Sequence, residues 1–191
     1  MRVIAGRFGG RRLRSPGGRR TRPTAERVRE ALFSVLGPLE GVRVLDLFAG
    51  SGALGIEALS RGAARAVFVE RSAAALPALE GNLEALDLGR DRAIVRRSEA
   101  MRALRSARER RETYDLVFLD PPYRDAARLA RALSTALPAV LGPGARVIVE
   151  SDRRTPLELD LPLADERRYG DTLIRIHRAQ SVPGPRPGEG P

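Results

Sequence analysis

Apolar residues in this chain fall into short continuous runs, separated by longer stretches in which they recur every three or four positions. The runs occupy residues 42–48, 66–70, 93–95, 114–120 and 145–150, and such near-continuous apolar segments suit strands buried on both faces. Between them the spacing predicts helices from the glycine loop after Phe48 to about Arg61, and over residues 72–86, 99–108 and 125–141. Gly142-Pro143-Gly144 turns the chain into the fifth strand. Alternating strands and helices predict an α/β, doubly wound, mostly parallel sheet with helices on both faces. The ending breaks the rhythm: residues 167–169 and 172–176, joined across Gly170-Asp171, read as an antiparallel hairpin at the sheet edge.

The first 37 residues are different in kind. Val3-Ile4-Ala5 and Arg11-Arg12-Leu13, punctuated by Gly6, Gly9 and Gly10, predict a short hairpin. Thr24 is the expected N-cap of a following helix, with Glu26 in its first turn. Val28, Leu32, Val35 and Leu36 then keep helical spacing until Gly37-Pro38 stops it. The expected organisation is an arm and helix over 1–37, a sheet domain over 38–179, and a tail over 180–191. That tail, rich in proline and glycine, has nothing to bury and is expected to be disordered.

Composition narrows the chemistry. A length of 191 residues suits one domain. No apolar run approaches the roughly 20 residues of a membrane span, and the N-terminus lacks a secretory apolar segment, so a cytoplasmic protein with no membrane partner is expected. The absence of cysteine excludes disulfides, thiolate metal sites and cysteine nucleophiles. A single histidine, His177, makes an imidazole-based metal site a poor expectation and reads as structural.

The net charge is +10 and all 34 basic residues are arginine. Uniform arginine usage follows from genomic composition or a hot habitat; its placement says more. Residues 1–29 hold ten arginines against Glu26, a net of +9, leaving +1 for the rest (24 arginines against 23 acids). A basic arm on a near-neutral body is an electrostatic footprint for a polyanion. Arg7, Arg11, Arg12, Arg14, Arg19, Arg20 and Arg22 are the candidate contacts to nucleic acid.

The first strand ends in Asp46-Leu47-Phe48-Ala49-Gly50-Ser51-Gly52-Ala53-Leu54-Gly55. Taken alone, Gly50, Gly52 and Gly55 spell a dinucleotide fingerprint, with Glu70 where a ribose-binding acid belongs. Asp46 argues against that reading, because a carboxylate in the floor of the loop opposes a pyrophosphate. It suits the ammonium and sulfonium of S-adenosylmethionine. Glu70 is then placed to chelate ribose hydroxyls, and Glu99, after the third strand, to accept from the adenine amino group. Phe48, Ala49, Ser51 and Arg71 flank these positions and complete the cofactor candidates.

The fourth strand runs into Asp120-Pro121-Pro122-Tyr123. An exocyclic amino nitrogen is a poor nucleophile because its lone pair is delocalised into the ring. Two acceptors aimed at its hydrogens, the Asp120 carboxylate and the Pro121 carbonyl, would localise that pair toward a methyl donor. The prolines rigidify the turn, and Tyr123 offers a face on which an extruded base can stack. Such a transfer needs no metal.

These residues carry a resemblance. Arg2 to Gly10, Thr21-Arg22-Pro23-Thr24 with Arg27-Val28-Arg29-Glu30-Ala31-Leu32-Phe33, Val44 to Gly62, Asp120 to Tyr123 and Tyr169-Gly170-Asp171-Thr172 resemble the bacterial small-subunit ribosomal RNA methyltransferase D family. The resemblance implies a class I S-adenosylmethionine-dependent methyltransferase fold, Rossmann-like, with seven strands and a reversed final hairpin. It implies cofactor contacts at Asp46, Gly50, Gly52, Glu70 and Glu99, catalysis at Asp120 to Tyr123, and an arm that brings Arg22 and Thr24 beside the active site. Its substrate would be the N2 amino group of one guanine in 16S rRNA, met on the small ribosomal subunit or an assembly intermediate, by an enzyme that need be no more than a monomer. Glu99 departs from the aspartate expected there. The alternatives are an adenine-N6 nucleic-acid methyltransferase, against which the chain's small size counts, and a non-catalytic RNA-binding protein, against which the intact Asp46 and tetrapeptide count.

Overall fold

The computed structural model describes residues 1–16, 23–121 and 126–179. The apolar runs form β1 (Arg43–Asp46), β2 (Arg65–Glu70), β3 (Ala93–Arg97), β4 (Tyr114–Leu119) and β5 (Leu141–Asp152), all parallel. The hairpin β6 (Leu163–Tyr169) and β7 (Thr172–Arg178) adds antiparallel strands, β7 beside β5. The sheet order is β3-β2-β1-β4-β5-β7-β6. The chain therefore leaves β1 toward one edge and returns on its other side at β4. That reversal opens a crevice at the carboxyl ends of β1 and β4, where ligands of such sheets bind.

Among the described residues five α-helices cover the sheet: α1 (Pro23–Leu36), α2 (Ala53–Ser60), α3 (Leu76–Ala85), α4 (Ala100–Glu109) and α5 (Ala126–Ala136). Successive strand residues point to opposite faces, so β1, β2, β4 and β5 each feed two cores. Val44, Phe68, Phe118 and Ile148 pack with Leu32, Phe33, Ile56 and Leu79 from α1, α2 and α3. Leu45, Val67, Val117 and Val149 pack with Leu104 and Leu133 from α4 and α5. The Phe33 and Phe118 rings meet 5.8 Å apart and tilted by 45°, a favourable aromatic geometry.

Two expectations are corrected. Helix α1 already includes Pro23, so Thr24 lies inside the first turn and is not its N-cap; proline's fixed φ and missing N–H suit the first helical position. The last helix ends at Ala136 and passes into a 3-10 turn over Leu137–Val140, because Pro138 cannot donate to a continuing α-helix. Strand β5 then begins at Leu141, and Gly142-Pro143-Gly144 forms an irregularity in its pairing with β4.

The arm is part of the packed body. Val3 N–H donates to the Arg11 carbonyl and Gly10 N–H to the Val3 carbonyl, both at 2.9 Å, around one bridge between Arg2 and Arg12. Val3 and Leu13 are buried in the first core. Glu57 of α2, fully buried, accepts from Ile4 N–H at 2.7 Å and Ala5 N–H at 3.1 Å. Ser60 Oγ accepts from Phe8 N–H at 2.9 Å. These bonds satisfy backbone donors that would otherwise be orphaned where the arm meets the helix.

Candidate active site

The crevice holds a cavity of about 280 Å³ lined by Asp46, Phe48, Ala49, Gly50, Ser51 and Asp120 from the positions read in the sequence. Met1, Pro16, Glu26, Arg29, Leu54 and Glu150 also contribute. Asp46, Asp120 and Glu150 belong to the carboxyl ends of three neighbouring strands, β1, β4 and β5. Among the described residues no three His, Asp or Glu groups lie close enough together to hold a metal ion.

Asp46 is buried, and its Oδ2 accepts from Gly55 N–H at 3.1 Å. Loss of hydration pushes its pKa up to about 7, against the partial relief of backbone N–H groups of Gly55 and Phe48. Burial raises Glu150 as well, opposed by the Arg29 guanidinium. Asp120 keeps a face open to water while the protein crowds its other side. Its pKa rises well above the usual carboxylate value, chiefly through lost hydration and then through Glu150 and Asp46; the open face moderates that rise. A cavity floored by three carboxylates reluctant to be charged together favours a cationic occupant.

Arg29, buried on α1, is the nearby countercharge. Its Nη2 donates to the Arg2 carbonyl at 2.5 Å and its Nε lies 3.9 Å from Glu57. Burial lowers its pKa. Met1 reaches over the loop, its sulfur 3.9 Å from Ser51 Oγ and 3.6 Å from Arg29 Nη1. The arm is thus a wall of the cavity.

The glycines divide by role. Gly50 has φ +55 and open space where a side chain would begin, so the cavity wall there is bare backbone. Gly52 makes room for protein: a Cβ would lie 2.5 Å from Leu79 Cδ1. Gly55 does the same beneath Phe68, whose ring would stand 2.3 Å from a Cβ.

Other predicted positions lie beyond the cavity lining. Glu70 accepts from Gly50 N–H at 2.8 Å and Ser72 N–H at 2.6 Å, clasping the loop to β2. Arg71 and Glu99 form an exposed ion pair at 2.8 Å, with Glu99 at the N-cap of α4. Pro121 is buried. Arg7, Arg11, Arg12 and Arg14 are exposed along the arm, and Arg11 donates to the Ala85 carbonyl at 2.9 Å. Arg19, Arg20, Arg22, Pro122, Tyr123 and the Thr24 side chain lie outside the described residues. His177 is buried, with Nδ1 3.0 Å from the Leu161 carbonyl and its pKa lowered by burial, which fits the structural reading.

Sequence reasoning missed Glu150, Arg29, Glu26 and Met1. A signal existed for Glu150: it stands near the end of the fifth strand as Asp46, Glu70, Glu99 and Asp120 stand at or just beyond the ends of the other four.

The strand order, the reversed final hairpin and the crevice at the β1–β4 reversal define the class I methyltransferase fold. The family model described as conserved hypothetical protein 95 matches residues 1–178. The chain belongs to this family, that of the ribosomal RNA small subunit methyltransferase D proteins. It is 40% identical to YlbH of Bacillus subtilis over 184 residues, covering 93% of this chain and 98% of that protein. It is 36% identical to ribosomal RNA small subunit methyltransferase D of Haemophilus influenzae, covering 93% of each. The solved structure of yhhF from Escherichia coli superposes with a TM-score of 0.78 at 36% identity, covering 95% of this chain and 98% of that one. The Thermus thermophilus 16S rRNA N2 G1207 methyltransferase RsmC, in complex with AdoMet and guanosine, shares the fold at 24% identity and a TM-score of 0.66, covering 86% of this chain and 45% of that one. Among the described residues no helix is long and apolar enough to cross a membrane.

Proposed function

We propose that this protein transfers a methyl group from S-adenosylmethionine to the exocyclic N2 amino group of a guanine in 16S rRNA. The observation that carries this reading is one cavity at the β1–β4 reversal, walled by the Gly50 loop and floored by Asp46, Asp120 and Glu150. The donor set fits the cofactor: Gly50 leaves backbone exposed, and Asp46 offers a carboxylate to a cation. When bound, S-adenosylmethionine supplies an electrophilic methyl group.

Asp46 would hold the ammonium end, with Phe48, Ala49, Ser51 and Gly52 shaping the loop around it. Glu70 would turn from the Gly50 and Ser72 amides toward ribose hydroxyls, and Glu99 and Arg71 would frame the adenine. Asp120 would accept one N–H of the target amino group and the Pro121 carbonyl the other, localising the nitrogen lone pair. Pro122 and Tyr123 would complete that turn and stack the base. The amino proton leaves to solvent after transfer, through the open face of Asp120. The arm, with Arg7, Arg11, Arg12, Arg14, Arg19, Arg20 and Arg22 and with Thr24 nearby, would engage the RNA backbone, which needs shape and charge more than sequence. The protein would act as a monomer on the small subunit or its assembly intermediate.

The test is incubation of 16S rRNA, free and in the small subunit, with labelled cofactor, followed by nucleoside mapping. N2-methylguanosine at one position supports the reading; N6-methyladenosine, or no transfer to either substrate, overturns it.

A further inference from the structure

A second concavity, which shares no lining residue with the cavity that holds Asp120, is half built from arginine. It runs between β3, an edge strand of the sheet, and α4, and has a volume of about 490 Å³. Arg65, Arg96, Arg97, Arg102 and Arg110 line it against a single acid, Glu112. The pattern is periodic on both walls. Ile94 and Arg96 share one face of β3 with Ser98 just past its end, and Arg102 and Ser106 lie four residues apart on α4 with Arg110 at its C-cap. The buried stripe of that helix, Ala100, Ala103, Leu104 and Ala107, faces the core, and the groove-lining stripe borders it at Ala103. None of these residues serves the cavity that holds Asp120.

Charge in the groove is only partly met. Arg96 Nη2 donates to both carboxylate oxygens of Glu112 at 2.6 and 2.8 Å, and Arg97 Nη2 donates to Glu80 at 2.7 Å. The Nη1 of Arg96 is buried without a hydrogen-bond partner among the described residues. Arg65, Arg102 and Arg110 are exposed, and no acid pairs with them among the described residues. Like-charged guanidinium groups gathered in a concavity focus field toward an anion.

We propose that the β3–α4 groove is a second RNA-binding surface, which grips the phosphodiester backbone of the substrate at a point separate from the arm. Planar guanidinium forks match phosphate oxygens and stack on bases, the serine hydroxyls add donors, and Ile94 gives the floor an apolar patch. The arm packs on α2 and α3, in the core opposite that of α4. The two basic surfaces therefore flank the sheet from different faces and would fix the orientation of a folded RNA. An acidic protein segment is the competing occupant. Phosphate is favoured because the arm on the other face of the sheet would engage the same polyanion, so one folded RNA can span both basic surfaces.

This inference rests on the RNA-methylation reading, and the experiment separates the two. The exposed pair Arg102→Gln with Arg110→Gln removes two groove charges. Arg105→Gln with Arg108→Gln removes two exposed charges from the same helix outside the groove and serves as the control. Affinity for a 16S rRNA fragment is measured across salt concentrations, with cofactor binding by calorimetry to verify folding. The groove pair is expected to bind roughly ten-fold more weakly, with a salt slope reduced by about 1.5, while the control pair changes by less than about two-fold and both keep cofactor affinity. Equal RNA binding by both pairs overturns the groove while leaving the methylation reading intact. Binding blocked as well by polyglutamate as by RNA of equal charge assigns the groove to an acidic protein and overturns it too. A wild-type chain that binds no rRNA overturns both proposals.

Discussion

Asn82 donates its side-chain N–H to the Ser51 carbonyl at 2.9 Å, so a buried amide on α3 holds the loop that walls the active-site cavity. The same side chain accepts from Arg14 N–H at 2.7 Å and donates to the Arg14 carbonyl at 3.0 Å. One residue thus couples the arm to the loop. Asn82→Ala should strand three backbone groups and cost about 2 kcal/mol. Amide exchange over residues 1–16 should quicken, and cofactor affinity should fall with it. Unchanged exchange in the arm would show that the coupling carries no energy.

Asp46 should trade stability for binding. Its folded pKa of about 7 stands above the 3.8 of a hydrated aspartate. A raised folded value means that its contribution is full below the unfolded pKa and is lost as pH rises through the folded one. Between pH 4 and pH 7 the site therefore costs the fold stability on the order of a few kcal/mol. Asp46→Asn keeps an acceptor for Gly55 N–H and removes the charge. At pH 8 the variant should resist urea better than wild type, with the gap closing toward pH 4, while cofactor affinity drops. A variant less stable at pH 8 would contradict the burial argument.

The parallel sheet was legible because strands buried on both faces must be apolar along their length, as Leu45 and Val117 are. Two of the three floor acids were legible for the same reason: a carboxylate ending such a run, as Asp46 and Asp120 do, has little structural excuse, whereas Glu150 lies inside its strand two residues before the end. The covering of the cavity was not. Glu57 and Asn82 look like outward polar positions of helices, yet both are buried, because the arm lies over them and spends its backbone donors on their side chains. Neither Met1 nor Arg29 can be read as a cavity residue until that docking is known. Thr24 was misplaced for a local reason, since proline one residue earlier had already begun the helix.

The close approach at Gly6 makes the arm's docking testable with one methyl group. Gly6 has φ +79, and a Cβ there would lie 1.9 Å from the Ser60 carbonyl oxygen. Gly10 has φ +81 with nothing within 4 Å. Gly10→Ala should cost about 1 kcal/mol of backbone strain and leave the arm docked. Gly6→Ala should lift it, so trypsin should cut after Arg7, Arg11 or Arg12 many times faster than in wild type. Equal cleavage of the two variants would mean that the Gly6–Ser60 contact does not anchor the arm.

The charge state of Asp120 is part of its work. A carboxylate accepts from an amino N–H; the protonated acid competes for the same geometry as a donor. With its pKa raised by lost hydration and by Glu150 and Asp46, the anion predominates only above that raised value. Methyl transfer, followed as kcat/KM, should therefore fall as pH is lowered through it. Asp120→Asn retains one carbonyl acceptor but loses the charge, and turnover should drop by about 100-fold or more while cofactor affinity changes little. Asp46, raised to about 7, titrates as well, so a residual acid limb in the variant, read by cofactor affinity, belongs to Asp46. The chemical limb, read by single turnover at saturating cofactor, should be gone. Turnover equal to wild type, or a single-turnover acid limb that survives the substitution, would remove Asp120 from the reaction.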